Sequence, residues 1–174
     1  MPLADVRNRL QPALLDRLTD DARNARSELD DQRVMSKAQL RQAVLRDLSA
    51  LFNAVQPLGA QADGYPMLAE CVLNYGLPPL SGQLASKLDV SVLEGVIREA
   101  IVRYEPRILP DTLQVRALES TSVLDTHNVI EFEIRGHLWS QPVPLEILLR
   151  TQLDLEAGLV QVREAVSVAA FKRR

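Results

Sequence analysis

Two kinds of hydrophobic spacing divide this chain. Up to Tyr104 apolar residues recur every three or four positions, and after Pro110 they recur every second position. The first period is that of a helix with one buried stripe; the second is that of a half-buried strand. Leu40, Val44, Leu48 and Leu51, widened by Leu45 and Phe52, predict a helix from about Ser36 to Ala54, with Arg41, Gln42, Arg46 and Asp47 off the stripe. Ser36 followed three residues later by Gln39 has the form of a capping box, and Pro57 and Gly59 end the element. Leu93, Val96, Ile97, Ala100, Ile101 and Tyr104 predict a second helix from about Ser91 to Tyr104, capped by Asp89 or Ser91. Pro106 disfavours helical geometry at Glu105 and stops it. Glu94 and Arg98, four residues apart, suit a surface ion pair on that helix, worth roughly a few tenths of a kcal/mol.

Beyond Pro110, Leu113, Val115 and Ala117 alternate with Gln114 and Arg116. Ile130, Phe132, Ile134 and Leu138 alternate with Glu131, Glu133, Arg135 and His137, and Ile147, Leu149, Thr151, Leu153 and Leu155 with Leu148, Arg150, Gln152 and Asp154. Turns are expected at Asp125 to Asn128 and at Ser140 to Pro144, and Glu156-Ala157-Gly158 reads as a hairpin leading to a last strand, Leu159 to Arg163. Helices first and strands afterwards make the class α+β: N-terminal helices followed by a mostly antiparallel β-sheet in a single compact domain. Between the two helices, Gly64, Pro66, Gly76, Pro78 and Pro79 punctuate residues 55–80, and the stretch from Cys71 to Gly82 is apolar yet full of breakers. That combination predicts an irregular segment held against the core.

The N-terminus has its own small pattern. Leu14, Leu15 and Leu18 follow Pro12 at helical spacing, with Asp16 and Arg17 on the polar side, and Thr19 to Arg33 reads as a charged linker. A helix of barely two turns needs a surface to lie on, either the protein's own core or another protein. The chain thus divides into residues 1–35, a docking helix with its linker; 36–165, the main domain; and 166–174, a tail with a basic end.

Composition narrows the function. With 174 residues, 47% hydrophobic and 25% charged, the chain is long enough for a real core and ordinary for a globular domain. Its 20 basic and 23 acidic residues leave a net charge of -3, against the expectation for a general nucleic-acid binder. One cysteine excludes an internal disulfide framework and a thiolate zinc cluster, and two histidines cannot build a three-histidine metal site. No cofactor and no metal are expected. No run approaches the ~18 apolar residues of a membrane span, and the start, Met1-Pro2-Leu3-Ala4-Asp5, has no apolar signal core. A soluble, cytoplasmic protein is expected.

Candidate chemistry is sparse. Phosphate-loop, dinucleotide, zinc-protease and nucleophile-elbow motifs are absent from the sequence. His127 is expected in a turn and His137 on the polar face of a strand, both facing solvent; Cys71, among apolar residues, reads as a small buried hydrophobe; Trp139 suits an interface anchor or a cover for the core edge. Glu99 and Glu105 flank the end of the second helix, and two carboxylates could serve glycoside hydrolysis. Arg98, Arg103 and Arg107 beside them suit ion pairs better than a proton-loaded acid. Glu105-Pro106-Arg107 is the more informative feature. A rigid residue between an acid and an arginine holds both in a fixed orientation, either as a salt bridge sealing the corner or as a planar fork of donors for a partner.

Three blocks of sequence resemble a known family. They are Leu14-Leu15-Asp16-Arg17-Leu18; Val72-Leu73-Asn74-Tyr75-Gly76-Leu77-Pro78 followed by Leu80-Ser81-Gly82; and Ile97 to Ile101 followed by Tyr104-Glu105-Pro106-Arg107-Ile108. Over roughly residues 12–165 their order and spacing are similar to the TssE family, baseplate subunits of type VI secretion systems, within the gene-25-like lysozyme family of contractile-phage baseplate wedge proteins. Pro79 stands where an acidic or polar residue is expected, and Ile108 where leucine is usual. The resemblance implies structural work without catalysis: a wedge component that links the wedge to the first ring of the contractile sheath and templates its assembly. It implies that Glu105, Pro106 and Arg107 grip the helical core of the wedge, and that Asn74, Tyr75, Gly76, Leu77 and Pro78 form a structural motif. The implied partners are the wedge subunits TssF, TssG and TssK and the sheath proteins TssB and TssC, at a baseplate docked on the inner membrane, with no nucleic acid and no membrane insertion. Leu14, Leu15 and Leu18 are candidate docking residues. Leu159, Val160, Gln161 and Val162 are the candidate template edge, because edge strands accept partner strands; an ordinary closing hairpin is the rival. The alternative function class is a peptidoglycan-cleaving, lysozyme-like glycosidase.

Overall fold

The computed structural model describes residues 14–18, 35–58, 64–80, 89–118 and 129–165. Among the described residues, helices α1 (Leu14–Leu18), α2 (Lys37–Asn53), α3 (Pro66–Glu70) and α4 (Val90–Tyr104) precede the strands β1 (Gln114–Leu118), β2 (Val129–Leu138), β3 (Leu145–Asp154) and β4 (Leu159–Glu164). The strands form one antiparallel sheet in sequence order. The fold is α+β. The expected turn at Asp125 to Asn128, Ser81-Gly82, the linker from Thr19 to Arg33 and the tail at 166–174 lie outside the described residues.

The caps are those expected from the sequence. Ser36 precedes α2, its Oγ accepts from the Gln39 N–H at 3.2 Å, and Gln39 Oε1 accepts from the Ser36 N–H at 2.8 Å, a complete capping box. Asp89 caps α4 by accepting from the Ser91 N–H at 3.0 Å. Both helices turn their apolar stripes to the sheet: Leu40, Val44 and Leu48 from α2 and Leu93, Ile97 and Ile101 from α4 meet Phe132, Ile134, Leu149 and Leu153 of the central strands. Helix α2 runs beside β4 and α4 beside β1, so each long helix flanks one edge of the sheet.

Three expectations are revised. Glu94 does not pair with Arg98; its Oε1 accepts from the Ala117 N–H of β1 at 2.6 Å, while Arg98 reaches the Pro110 carbonyl. An outward-facing peptide N–H on an edge strand costs more to leave unpaired than a solvated ion pair contributes, so the acid turns to the strand. His137 is half-buried at the end of β2 instead of facing solvent, because the Leu109 N–H pairs with its carbonyl and draws the connection over it. The segment at 55–80 is less irregular and less covered than expected. Its described residues contain α3 and a 3₁₀ turn, Val72–Asn74, and Val72 and Leu73 are 79% and 66% exposed. Cys71 is only partly buried, and its thiol donates to the Leu68 carbonyl.

What holds this segment is its second half. Asn74, Gly76 and Leu77 are buried. Leu77 forms a parallel bridge with Val55 at the end of α2: its N–H donates to Ala54 O at 2.9 Å and its carbonyl accepts from the Gln56 N–H at 2.8 Å. The Tyr104 hydroxyl, from the last turn of α4, donates to the carbonyls of Cys71 and Asn74, and Tyr75 packs edge-to-face on Tyr104 at 5.2 Å between ring centroids. Gly76 is required by this closure. Its φ is +121°, and a Cβ there would overlap the Ala54 carbonyl. The Asn74-to-Pro78 stretch therefore buckles the end of α2 to the end of α4.

Candidate functional site

The buckle places the end of α4 opposite the middle of α2, and Glu105-Pro106-Arg107 sits in the angle between them. Glu105 caps α4, its N–H still bonded to the Ile101 carbonyl, and Pro106 prevents a further turn. The chain reverses, and Arg107 folds back onto Glu105. The Arg107 N–H and Nε donate to Glu105 Oε1 at 3.2 and 2.7 Å, and Nη2 donates to Oε2 at 2.5 Å. Both carboxylate oxygens of Glu105, a residue 2% exposed, are thus committed to one guanidinium. Beyond the corner, Ile108 bridges to Leu138 and the Trp139 N–H donates to the Arg107 carbonyl at 2.8 Å, which pins the corner to the end of β2.

Arg107 has a second carboxylate. Its Nη2 also donates to Asp47 Oδ2 on α2, at 2.5 Å. Asp47 Oδ1 accepts from Arg46 Nε at 2.8 Å, and Arg46 Nη1 reaches Asp16 of α1. Acids and arginines alternate without a gap from Glu105 to Asp16. Burial pushes the Asp47 carboxyl up, but the hydrogen bonds from Arg46 and Arg107 outweigh it and hold the group below its usual value. Burial likewise works against the Arg107 cation and is overcome by Glu105 and Asp47, so its pKa is raised. Burial, then the charges of Asp47 and Glu105, raise the Tyr75 hydroxyl.

A cleft of about 400 Å³ opens beside this cluster. Leu48, Leu51, Tyr75, Tyr104 and Pro106 supply its apolar wall, with Asp47, Glu105 and Arg107 on the polar side. The Arg107 side chain is 26% exposed, and among the described residues its Nη1 has no partner. Pro106 is exposed. A protein binding here meets an apolar ledge and one oriented cationic donor. Glu105 sets the orientation from underneath.

The other candidates lie elsewhere. Leu14, Leu15 and Leu18 are 71%, 58% and 73% exposed, so they do not pack into the domain's own core; Asp16 of α1 pairs with Arg46 of α2. In β4, Val160 is buried while Leu159 and Gln161 are exposed. The outward peptide of Val160 is already taken: Asn53, at the end of α2, donates through Nδ2 to the Val160 carbonyl and accepts the Val160 N–H at Oδ1, both at 2.9 Å. Val162 offers its outward peptide to no partner among the described residues. Glu99 is exposed on α4 and does not line the cleft. Among the described residues no three metal-ligating side chains gather. His127 lies outside them.

Residues 38–143, more than half of the chain, match the family model described as baseplate wedge protein gp25. The chain belongs to the baseplate wedge protein gp25 family. No curated protein and no solved structure matches it. The gp25 family serves a structural role in the baseplate wedge of contractile, phage-like systems. The matched region covers the buckle, the corner and the cleft, and leaves α1, β3 and β4 outside. No helix among the described residues is long and apolar enough to cross a membrane.

Sequence reasoning missed Asp47, Arg46 and Asn53. Asp47 and Arg46 carry no local signal beyond being polar and off the apolar stripe of α2. Asn53, in the last turn of a helix, looks like an ordinary helix-end residue until β4 is beside it.

Proposed function

We propose that this gp25-family chain is a non-catalytic wedge component of a type VI secretion baseplate, joining the wedge subunits TssF, TssG and TssK to the first ring of the TssB–TssC sheath. The observation that carries the docking role is the Arg107 guanidinium: held on its Nε and Nη2 side by two carboxylates, with no partner for Nη1 among the described residues, and set beside an apolar cleft. Preorganised arginines of this kind dominate protein interfaces, because their geometry is settled before the partner arrives. In this reading Arg107 and Pro106 touch the wedge partner and Glu105 is a positioning residue. Glu105 is poorly placed for hydrolysis, since both of its oxygens accept from Arg107 and Glu99 lies outside the cleft.

The sheath side of the proposal rests on β4. An added strand would pair at the open peptide of Val162 and would have to displace Asn53 from Val160 to extend further. Residues 1–35, 36–165 and 166–174 are proposed as docking arm, main domain and tail, and the cell location as the cytoplasmic side of the inner membrane.

The test is binding to purified TssF–TssG complex by wild type and by Arg107→Lys, which keeps the charge and loses the planar fork. A loss of tenfold or more with an intact unfolding curve supports the docking role. Wild-type affinity in the variant would overturn it. Turnover of peptidoglycan by the wild type, lost in Glu105→Gln, would overturn the non-catalytic reading.

A further inference from the structure

The inward side chains of the sheet meet α2 and α4, and the side chains that alternate with them make an open, polar face on which Arg116, Arg135, Arg150 and Arg163 are exposed. The antiparallel register sets Arg116 opposite Glu133, Glu133 opposite Arg150, and Arg150 opposite Arg163, so one row crosses all four strands. With about 4.8 Å between strands, the row is roughly 14 Å long. Glu133 does little to neutralise it, because its Oε1 already accepts from Arg135 Nε at 2.7 Å. Among the described residues Arg116 and Arg150 have no hydrogen-bond or ion-pair partner, and Arg163 donates to Gln161. We propose that this row binds an acidic helix of a partner protein, which lies across the strands with its carboxylates on Arg116, Arg150 and Arg163.

Charge and spacing choose the occupant. Like charges directly opposite on neighbouring strands destabilise a sheet, so Arg150 and Arg163 repel each other until an anion lies between them. The chain as a whole carries a net charge of -3, so the cationic row is a local feature and not a share of a basic surface. It is also narrow. Glu131 and Glu146 stand on the same face on either side of it, three residue pairs apart along β3, or roughly 20 Å. A helix about 10 Å across fits between them, whereas a membrane or a nucleic-acid duplex would press its phosphates against both acids. An extended segment crossing the face would find no strand edge there for its backbone groups, and a helix satisfies its own. Helix positions i, i+3 and i+10 lie at about 0, 4.5 and 15 Å along the axis and within roughly 80° of one another, which matches Arg163, Arg150 and Arg116. Position i+7, at about 10.5 Å, falls over Glu133 and calls for a lysine. Leu148, half-buried beside Arg135, gives the helix an apolar contact next to the row.

The Arg107 corner and the outward peptides of β4 play no part in this site, so its test is independent of the docking reading above. The full-length chain is titrated by NMR with a 20-residue alanine-rich helical peptide carrying Glu-x-x-Glu-x-x-x-Lys-x-x-Glu, and with a peptide of the same composition in scrambled order. The ordered peptide is expected to shift the signals of Arg116, Arg150 and Arg163 and to bind at least fivefold more tightly than the scrambled one. Arg150→Gln should weaken binding tenfold or more while unfolding at the same urea concentration as the wild type or a higher one, since the substitution removes a repulsion. Arg98→Gln, on α4, should leave binding unchanged. Equal binding of the two peptides, or shifts confined to other residues, would overturn the proposal. So would an Arg150→Gln chain less stable than the wild type, which would make the arginine a structural residue. Stronger binding of duplex DNA or of phosphatidylglycerol vesicles to the same row would overturn the assignment to a protein partner.

Discussion

Arg107→Ala removes the one cation that faces Glu105 among the described residues. Glu105 is 2% exposed, and the three donor contacts it receives, from the Arg107 N–H, Nε and Nη2, reduce to the backbone N–H alone. Breaking a fully buried ion pair by removing one partner costs about 3–5 kcal/mol. The Arg107 side chain is 26% exposed and Asp47 31%, so water partly compensates on that side and the Asp47 link is worth little by itself. The expected loss is then about 2–3 kcal/mol, nearly all of it at Glu105. For a chain of this size a 2–3 kcal/mol loss lowers the melting temperature by roughly 4–12 °C. The assay is urea unfolding of wild type, Arg107→Ala, and Arg107→Ala combined with Glu105→Gln. If the loss comes from a stranded buried charge, the double variant recovers more than half of it. A single variant as stable as the wild type, or a double variant less stable than the single, would refute the reasoning.

Gly76→Ala is expected to cost more than about 2 kcal/mol in the same assay, because the residue sits at φ +121° and its Cβ would overlap the Ala54 carbonyl. Thr151→Val should stabilise by about 1 kcal/mol, since the residue is 1% exposed and its hydroxyl has no hydrogen-bond partner among the described residues; a loss of stability would contradict this. Asp47 gives a pH signature. Its folded-state pKa lies below the usual value, so its contribution is complete above the ordinary aspartate range, about pH 4, and disappears as pH falls further through the folded value. The stability gap between wild type and Asp47→Asn should accordingly be constant near neutrality and close on acidification, and a gap that widens at low pH would contradict the sign.

The elements of this fold were legible in one dimension because helix and strand periods depend only on spacing, and caps depend only on neighbours. Ser36 with Gln39, Asp89 with Ser91, and the alternations around Phe132 and Leu149 are local patterns with local causes. The corner was legible as well, since Pro106 stiffens its neighbours whatever surrounds them. Its partners were not. Whether Arg107 faced a stranger or its own chain depended on Asp47, which lies 60 residues away and becomes adjacent only after Gly76 and Tyr104 buckle α2 to α4. The same holds for Glu94, which sequence spacing assigned to Arg98 and the tertiary structure gave to Ala117. Asn53 answers the peptide of Val160 across 107 residues. A polar side chain chooses the group whose desolvation would otherwise go uncompensated, and which group that is depends on what the packed helices and sheet have already taken out of water.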